Sequence, residues 1–422
     1  MIEVTRRSAM LGTAAAVVAG AAHRAGAQGT PDKAAFDRLL QQAVDTKQVP
    51  GVAALAATDK GPFYQGAFGK RSLGPGGADM TMDTVFWIAS MTKAITSTAA
   101  MQQVERGKLS LDQPISNILP ELASPQVLEG FDASGAPKLR PAKRPITLRH
   151  LLTHTAGFTY DFLDADTQRY NKVTGLPGII TCKNDALRTP LAFDPGERWE
   201  YGINIDWAGK AVERVSGQKL GAYFHEHLFG PLGMGDTGFK LTASQRARLV
   251  AMHARQPDGS LKPIDFEIPQ DPEFEMGGGG LYSTASDYMQ FCQMFLHAGK
   301  AEGGAQVLRP ETVALMGQNQ IGDINVAKLT SVDPASSLDA EFFPGMVKKW
   351  STGFMLNTAD APTGRSAGSM AWAGLANTYF WIDPKRRMAG VILMQFLPFA
   401  DPAALQTLTA FETESYKALQ TT

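Results

Sequence analysis

Two polar residues in "WIASMTKAITSTAAM" (87–101), Ser90 and Lys93, have types and spacing that could do chemistry. A serine hydroxyl is a weak nucleophile, and a lysine amine at its ordinary pKa is protonated and cannot take the serine proton. Residues three apart share one face of a helix. A helix starting near Ser90 therefore brings hydroxyl and amine within hydrogen-bonding reach. An amine buried at the positive end of a helix is disfavoured as a cation by lost solvation and by the dipole. Its pKa falls toward that of a usable base, which activates serine without histidine. The Ser90 backbone N–H, free at the helix start, is placed to serve an oxyanion hole.

Two further stretches fit this chemistry. "FDPGERWEYGINIDWAGKAVERVSG" (193–217) puts Tyr201 between a Pro-Gly turn and a helical pattern, and a phenol near a lysine can relay protons. "AWAGLANTYFWIDP" (371–384) starts a strand with Trp372-Ala373-Gly374, where a glycine lets substrate approach an edge backbone closely. S-x-x-K alone is a short motif that chance supplies often. Its setting, an apolar strand-like run, then small residues, then a helix, adds weight.

The elements that must hold these residues are readable in outline. Thr30-Pro31 reads as a cap and first helical residue, and Phe36, Leu39, Leu40, Ala43 and Val44 follow at helical spacing. "GVAALAAT" and "FYQGAFG" around Asp59-Lys60-Gly61-Pro62 form a hairpin pattern. From Leu111 to Glu275, helical segments alternate with Pro/Gly-rich loops and clear strands are scarce. "MGGGGLYSTASDYMQFCQMFLHAG" (276–299) reads as a Gly-rich turn feeding a helix. "SMAWAGLANTYFWIDPKRRMAGVILMQF" (369–396) supplies a second hairpin, and an amphipathic helix closes the chain. Sheet at both ends and helix between predict an α+β fold, an antiparallel sheet flanked by helices. Its discontinuous sheet domain would comprise 28–110 and 276–422, with a mostly helical domain, 111–275, inserted.

Composition narrows the function classes. The 422 residues are 44% hydrophobic and 19% charged, with no apolar run long enough for a membrane span. A net charge of −1 without a Lys/Arg cluster lacks the footprint of a nucleic-acid binder, leaving small molecules as the expected partners. Arg6-Arg7, a mildly apolar Ala/Val/Gly run and Ala25-Gly26-Ala27 read as a twin-arginine signal, residues 1–27, for export to the periplasm or beyond. Cys182 and Cys292 make no disulfide framework, and burial without bonding is expected of Cys292 on its helix. Nothing has metal-ligand spacing, and no cofactor is called for.

Other candidates read as decoys. Gly364-Arg365-Ser366-Ala367-Gly368 matches G-x-S-x-G, but no histidine follows His297 to serve as partner for Ser366. His225 and His227, two apart on a helix, face different sides. His154 is expected to pack near the site without touching substrate.

Taken in order, the motifs resemble the serine β-lactamase and D-alanyl-D-alanine carboxypeptidase superfamily, and within it the family VIII carboxylesterases. "VFWIASMTKAITSTAAMQQVERGKLSLDQPI", "ITLRHLLTHTAGF", "PGERWEYG", "HLFGPLGMGDTGF" and "GGGGLYSTASDYMQF" occur in family order over nearly the whole mature chain. The resemblance implies Ser90 as nucleophile, Lys93 as general base and Tyr201 as proton relay. It also implies an oxyanion hole of the Ser90 and Leu375 backbone N–H groups. Two departures matter. Trp372-Ala373-Gly374 replaces the Lys-[Thr/Ser]-Gly of β-lactamases, removing a cation for the substrate carboxylate and adding apolar surface. Tyr201-Gly202-Ile203 replaces Tyr-x-Asn, although Asn204 follows. Both favour a neutral ester over a charged lactam. The expectation is a serine hydrolase cleaving short-chain or aryl esters through an acyl-enzyme. Its alternatives are a β-lactamase, a D-amino-acid peptidase or amide hydrolase, an acyltransferase, and a sensor that acylates without turnover.

Overall fold

The computed structural model describes residues 32–420. The expected export signal and Thr30-Pro31 lie outside the described residues. Helix α1 (Lys33–Asp45) is capped by Asp32, whose carboxylate accepts the Ala34 N–H at 3.0 Å. Further helices are α2 (Thr92–Glu105), α3 (Asn204–Ser216), α4 (Ala285–Leu296) and α5 (Pro402–Gln420).

The main sheet joins the two ends of the chain. The hairpin of β1 (Gly51–Thr58) and β2 (Gly61–Gly69) pairs with five later strands. These are β3 (Lys348–Trp350), β4 (Met355–Asn357), β5 (Met370–Gly374), β6 (Thr378–Asp383) and β7 (Met388–Leu393). Their order is β2-β1-β7-β6-β5-β4-β3, with every neighbouring pair antiparallel. Side chains alternate faces along a strand. Phe380 of β6 meets Tyr288 of α4, whereas its neighbour Trp381 meets Phe411 of α5. Helices therefore cover both faces, which is why β6 and β7 are buried at every position and read as continuous apolar runs. Opposite Trp381, a Cβ on Gly390 would lie 2.1 Å from the indole, so the ring needs a glycine beneath it.

Helix α2 runs through the interior, buried from Thr92 to Gln103, so it has no polar face. Small residues make this possible: Gly209 of α3 and Gly277 both pack against Thr96.

The segment 111–275 holds more strand than its sequence suggested. Gln126–Phe131 pairs with Pro137–Pro141, and His253–Arg255 with Leu261–Pro263. These hairpins are short and rich in Gly, Pro and charge, so apolar alternation is weak. The turn chemistry is present, however: Asp132 Oδ1 accepts the Ser134 and Ala136 N–H groups, and Gly135 has φ 88°. Cys182 and Cys292 are both free and buried. Among the described residues no helix is long and apolar enough to cross a membrane.

Candidate active site

Ser90 sits in a tight turn (Ala89–Met91) leading directly into α2. Ala89, just before it, has φ 44°, a conformation that costs a non-glycine residue energy and must be held by its surroundings. The holding groups are adjacent. Phe86-Trp87 pairs with Tyr282-Ser283, the Trp87 N–H donates to Gln395 Oε1 at 3.1 Å, and its indole N–H donates to Gly279 O at 2.7 Å. Ile88 O accepts from Met91 N–H and from the Thr378 hydroxyl.

Lys93, one turn on and 1% exposed, donates from Nζ to Ser90 Oγ at 3.1 Å, Tyr160 OH at 2.8 Å and Gly278 O at 2.5 Å. Burial pulls its amine down from 10.5 to about 7, against the opposing pull of Asp206. That shift decides its chemistry. At the ordinary value about one amine in 3,000 is neutral at pH 7, whereas the lowered value makes the neutral amine a substantial fraction.

Tyr201 lines the same cleft as Ser90 and accepts the Trp372 indole N–H at 2.9 Å, while the Lys93 amine lies 4.6 Å from the centre of its ring. Burial raises both the Tyr201 and Tyr160 phenols above the usual range, so at neutral pH both keep their protons. Lys93 is therefore the group able to accept the Ser90 proton, and Tyr201 the group able to pass one on.

The tyrosines converge because two segments run together: Glu200 N–H donates to His154 O, and a Cβ on Gly202 would lie 2.3 Å from Phe158 O. His154, buried with φ 57°, faces Tyr201 at 4.7 Å and pairs through Nδ1 with Asn204 Nδ2 at 3.1 Å. Burial and Lys93 push its pKa far down, leaving it neutral. Asn204 also donates to Phe158 O and is fully buried, so it clamps the two segments together.

Trp372 does more than add apolar surface. Its ring lines the cleft and packs edge-on to Trp350 at 4.6 Å, while its N–H orients the Tyr201 hydroxyl. Strand β4 pairs only Met370 and Ala371 of β5, leaving Trp372-Ala373-Gly374 open on that side, along the cleft wall. Gly374, expected to admit substrate, lines the cleft, and a Cβ there would lie 2.3 Å from Ile88 O, so the glycine also lets β5 press against the Ser90 turn. Leu375 lines the same cleft as Ser90. Beyond these, and apart from Tyr160 and Ser337, the walls are apolar: Trp87, Phe162, Ile179, Met276, Leu329 and Phe399.

Ser366 lies elsewhere, its N–H bonded to Asp383 and its carbonyl to Asn357. Sequence reasoning missed Tyr160 and Asp206. Tyr160 follows the "HTAGF" run by two residues, and Asp206 is a lone carboxylate in the apolar first turns of α3.

Comparison with known proteins agrees with this geometry. The Beta-lactamase family model matches residues 36–414. Monacolin J acid methylbutanoyltransferase of Aspergillus terreus is 33% identical over 402 residues, covering 91% of this chain and 96% of the relative. Lovastatin esterase of Penicillium rubens is 34% identical over 377 residues, covering 85% and 92%. The unliganded structure of simvastatin synthase (LovD) from Aspergillus terreus superposes with TM-score 0.79 at 30% identity, covering 92% of this chain and 99% of that one. With its antiparallel sheet between helices and its Ser-x-x-Lys turn at the head of a buried helix, the chain belongs to the beta-lactamase family.

Proposed function

We propose that this protein is a serine acyltransferase that moves an acyl group from an ester to an alcohol, and hydrolyses the acyl-enzyme when water takes the alcohol's place. Lys93, as the free amine, takes the Ser90 proton while Oγ attacks the donor carbonyl. The oxyanion that forms is held by the backbone N–H groups of Ser90 and Leu375. As the carbonyl re-forms, the leaving group departs with the proton from Lys93, relayed through Tyr201. The acceptor alcohol then attacks the Ser90 ester, giving its proton to Lys93, and Ser90 leaves and is reprotonated.

The observation that carries the reading is the apolar wall around Ser90, formed by Trp87, Phe162, Ile179, Met276, Leu329 and Phe399. Such a surface favours an organic acceptor over water at the second step, because burying apolar area is favourable and water gains nothing from it. The sequence alone ranked hydrolysis first. A methylbutanoyltransferase matching 91% of the chain supports the transferase, and the esterase relative supports hydrolysis as the competing outcome.

The test is p-nitrophenyl butyrate with and without an apolar alcohol. Transfer predicts a butyrate ester of that alcohol, formed at the expense of butyric acid. Butyric acid alone, with every alcohol tried, would leave a simple esterase.

A further inference from the structure

The run Met276-Gly277-Gly278-Gly279-Gly280 has a structural logic that the three catalytic candidates do not use. It passes between α2 and α3, with Gly277 O accepting the Thr96 hydroxyl at 2.7 Å and Gly279 O accepting the Trp87 indole N–H. Gly278 lies between the base and a buried carboxylate. Its N–H donates to Asp206 Oδ1 at 2.8 Å, and its C=O accepts from Lys93 Nζ at 2.5 Å. A Cβ at 278 would fall 2.4 Å from Asp206 Oδ2, so only glycine lets the carboxylate approach so closely.

Asp206 is 1% exposed, and its Oδ2 has no hydrogen-bond partner. A carboxylate so placed is costly unless a nearby positive charge compensates. Lys93 and Lys210 act on it through space. The groups facing Lys93 come from three segments: Ser90 before its own helix, His154 and Tyr160 from the 146–160 segment, and Tyr201 just before α3 with Asp206 in its first turn. Asp161 acts on Tyr160, and Cys182 feels Asp206. The phenols and His154 are neutral, so Asp206 supplies the negative charge that acts directly on the amine.

We propose that Asp206 is a positioning residue for the general base. Through Gly278 it holds the Lys93 amine against Ser90, and its buried charge stabilises the ammonium that forms when Ser90 gives up its proton. The proton moves from Ser90 Oγ to Lys93 Nζ; burial raises the Asp206 carboxyl to about 6, so its charge acts on the amine above that range. Without the charge, a dry pocket would leave an amine too weak to accept it; without burial, the amine would stay protonated. This rests on the acyl-enzyme reading only through Ser90 acylation, which transfer and hydrolysis share.

The test is the burst rate of p-nitrophenol release against pH. Asp206→Asn keeps an acceptor for the Gly278 N–H and removes the charge. It should move the acid limb down by about one pH unit and lower the plateau about tenfold. Asp206→Glu restores the charge and should keep the limb at its wild-type position despite slower turnover. An unmoved limb in Asp206→Asn, or a limb displaced in Asp206→Glu as far as expected for Asn, overturns the role. Should Asp206→Asn fail to fold, Asp206→Ser, smaller and also uncharged, takes its place with the same displaced limb expected and an unmoved one overturning the role. A full burst in Ser90→Ala would overturn the acyl-enzyme reading instead, whatever Asp206 does.

Discussion

Two phenols meet at Lys93, and the structure assigns them different work, so deleting each hydroxyl should cost different amounts. Tyr160 OH accepts from the Lys93 amine at 2.8 Å, whereas the Tyr201 phenol shares the cleft with Ser90 and takes the Trp372 indole N–H. Tyr160→Phe removes one of three acceptors of the amine, leaving Ser90 Oγ and Gly278 O. A hydrogen bond to a charged group contributes about 1.5–3 kcal/mol, so acylation should slow by about 10- to 150-fold. The ammonium loses that stabilisation, so its pKa drops and the acid limb moves to lower pH. Tyr201→Phe removes the relay itself, a contribution of about 10²- to 10⁴-fold, and leaves the Trp372 N–H without its partner. Its limb should stay nearer the wild-type position, because Tyr201 presents its ring face to the amine. Burst kinetics with p-nitrophenyl butyrate across pH, with thermal melts to confirm folding, measure both. A Tyr160→Phe enzyme with wild-type rate and limb, or one slower than Tyr201→Phe, would refute the division of labour.

Activity in the wild type should rise with pH through the neutral range as Lys93 loses its proton near 7, and a limb close to 10 would contradict the buried amine. Gly374→Ala places a Cβ against Ile88 O and Thr378 Oγ1; it should lower Tm and strongly reduce acylation, and an enzyme unchanged in both would contradict that close approach. Ser366→Ala should retain full activity and an unchanged burst, since only the backbone of residue 366 is used in its Asp383 and Asn357 contacts.

The parts of the site visible in the sequence are those whose geometry is local. Ser90 and Lys93 are one helical turn apart, so their contact follows from spacing, and Tyr201 stands where a Pro-Gly turn enters a helix. The contacts that sequence could not supply join distant segments. Tyr160 meets Lys93 across 67 positions, and Gly278 meets it across 185. Trp372 was legible as an apolar replacement for a cation, but the direction of its N–H depends on how β5 meets the 196–204 segment. The centre of the sheet was visible because β1, β6 and β7 are nearly continuous apolar runs, whereas β3 and β4, three residues each, carry too short a pattern to read. The hairpins at 126–141 and 253–263 were not, because strands of a few residues rich in Gly, Pro and charge carry little periodicity. Water and alcohol use the same serine, lysine and tyrosine, so no motif among these residues distinguishes hydrolysis from transfer.

The most direct measurement is the mass of the enzyme during turnover. Mixed with p-nitrophenyl butyrate and quenched in acid, the protein should gain one butyryl group, mapped to the peptide containing Ser90 and absent from Ser90→Ala. Chased with an apolar alcohol, the adduct should disappear faster than in buffer as the alcohol's butyrate ester appears in equal amount. An adduct on any other residue, or product formed by Ser90→Ala at the wild-type rate, would contradict the account.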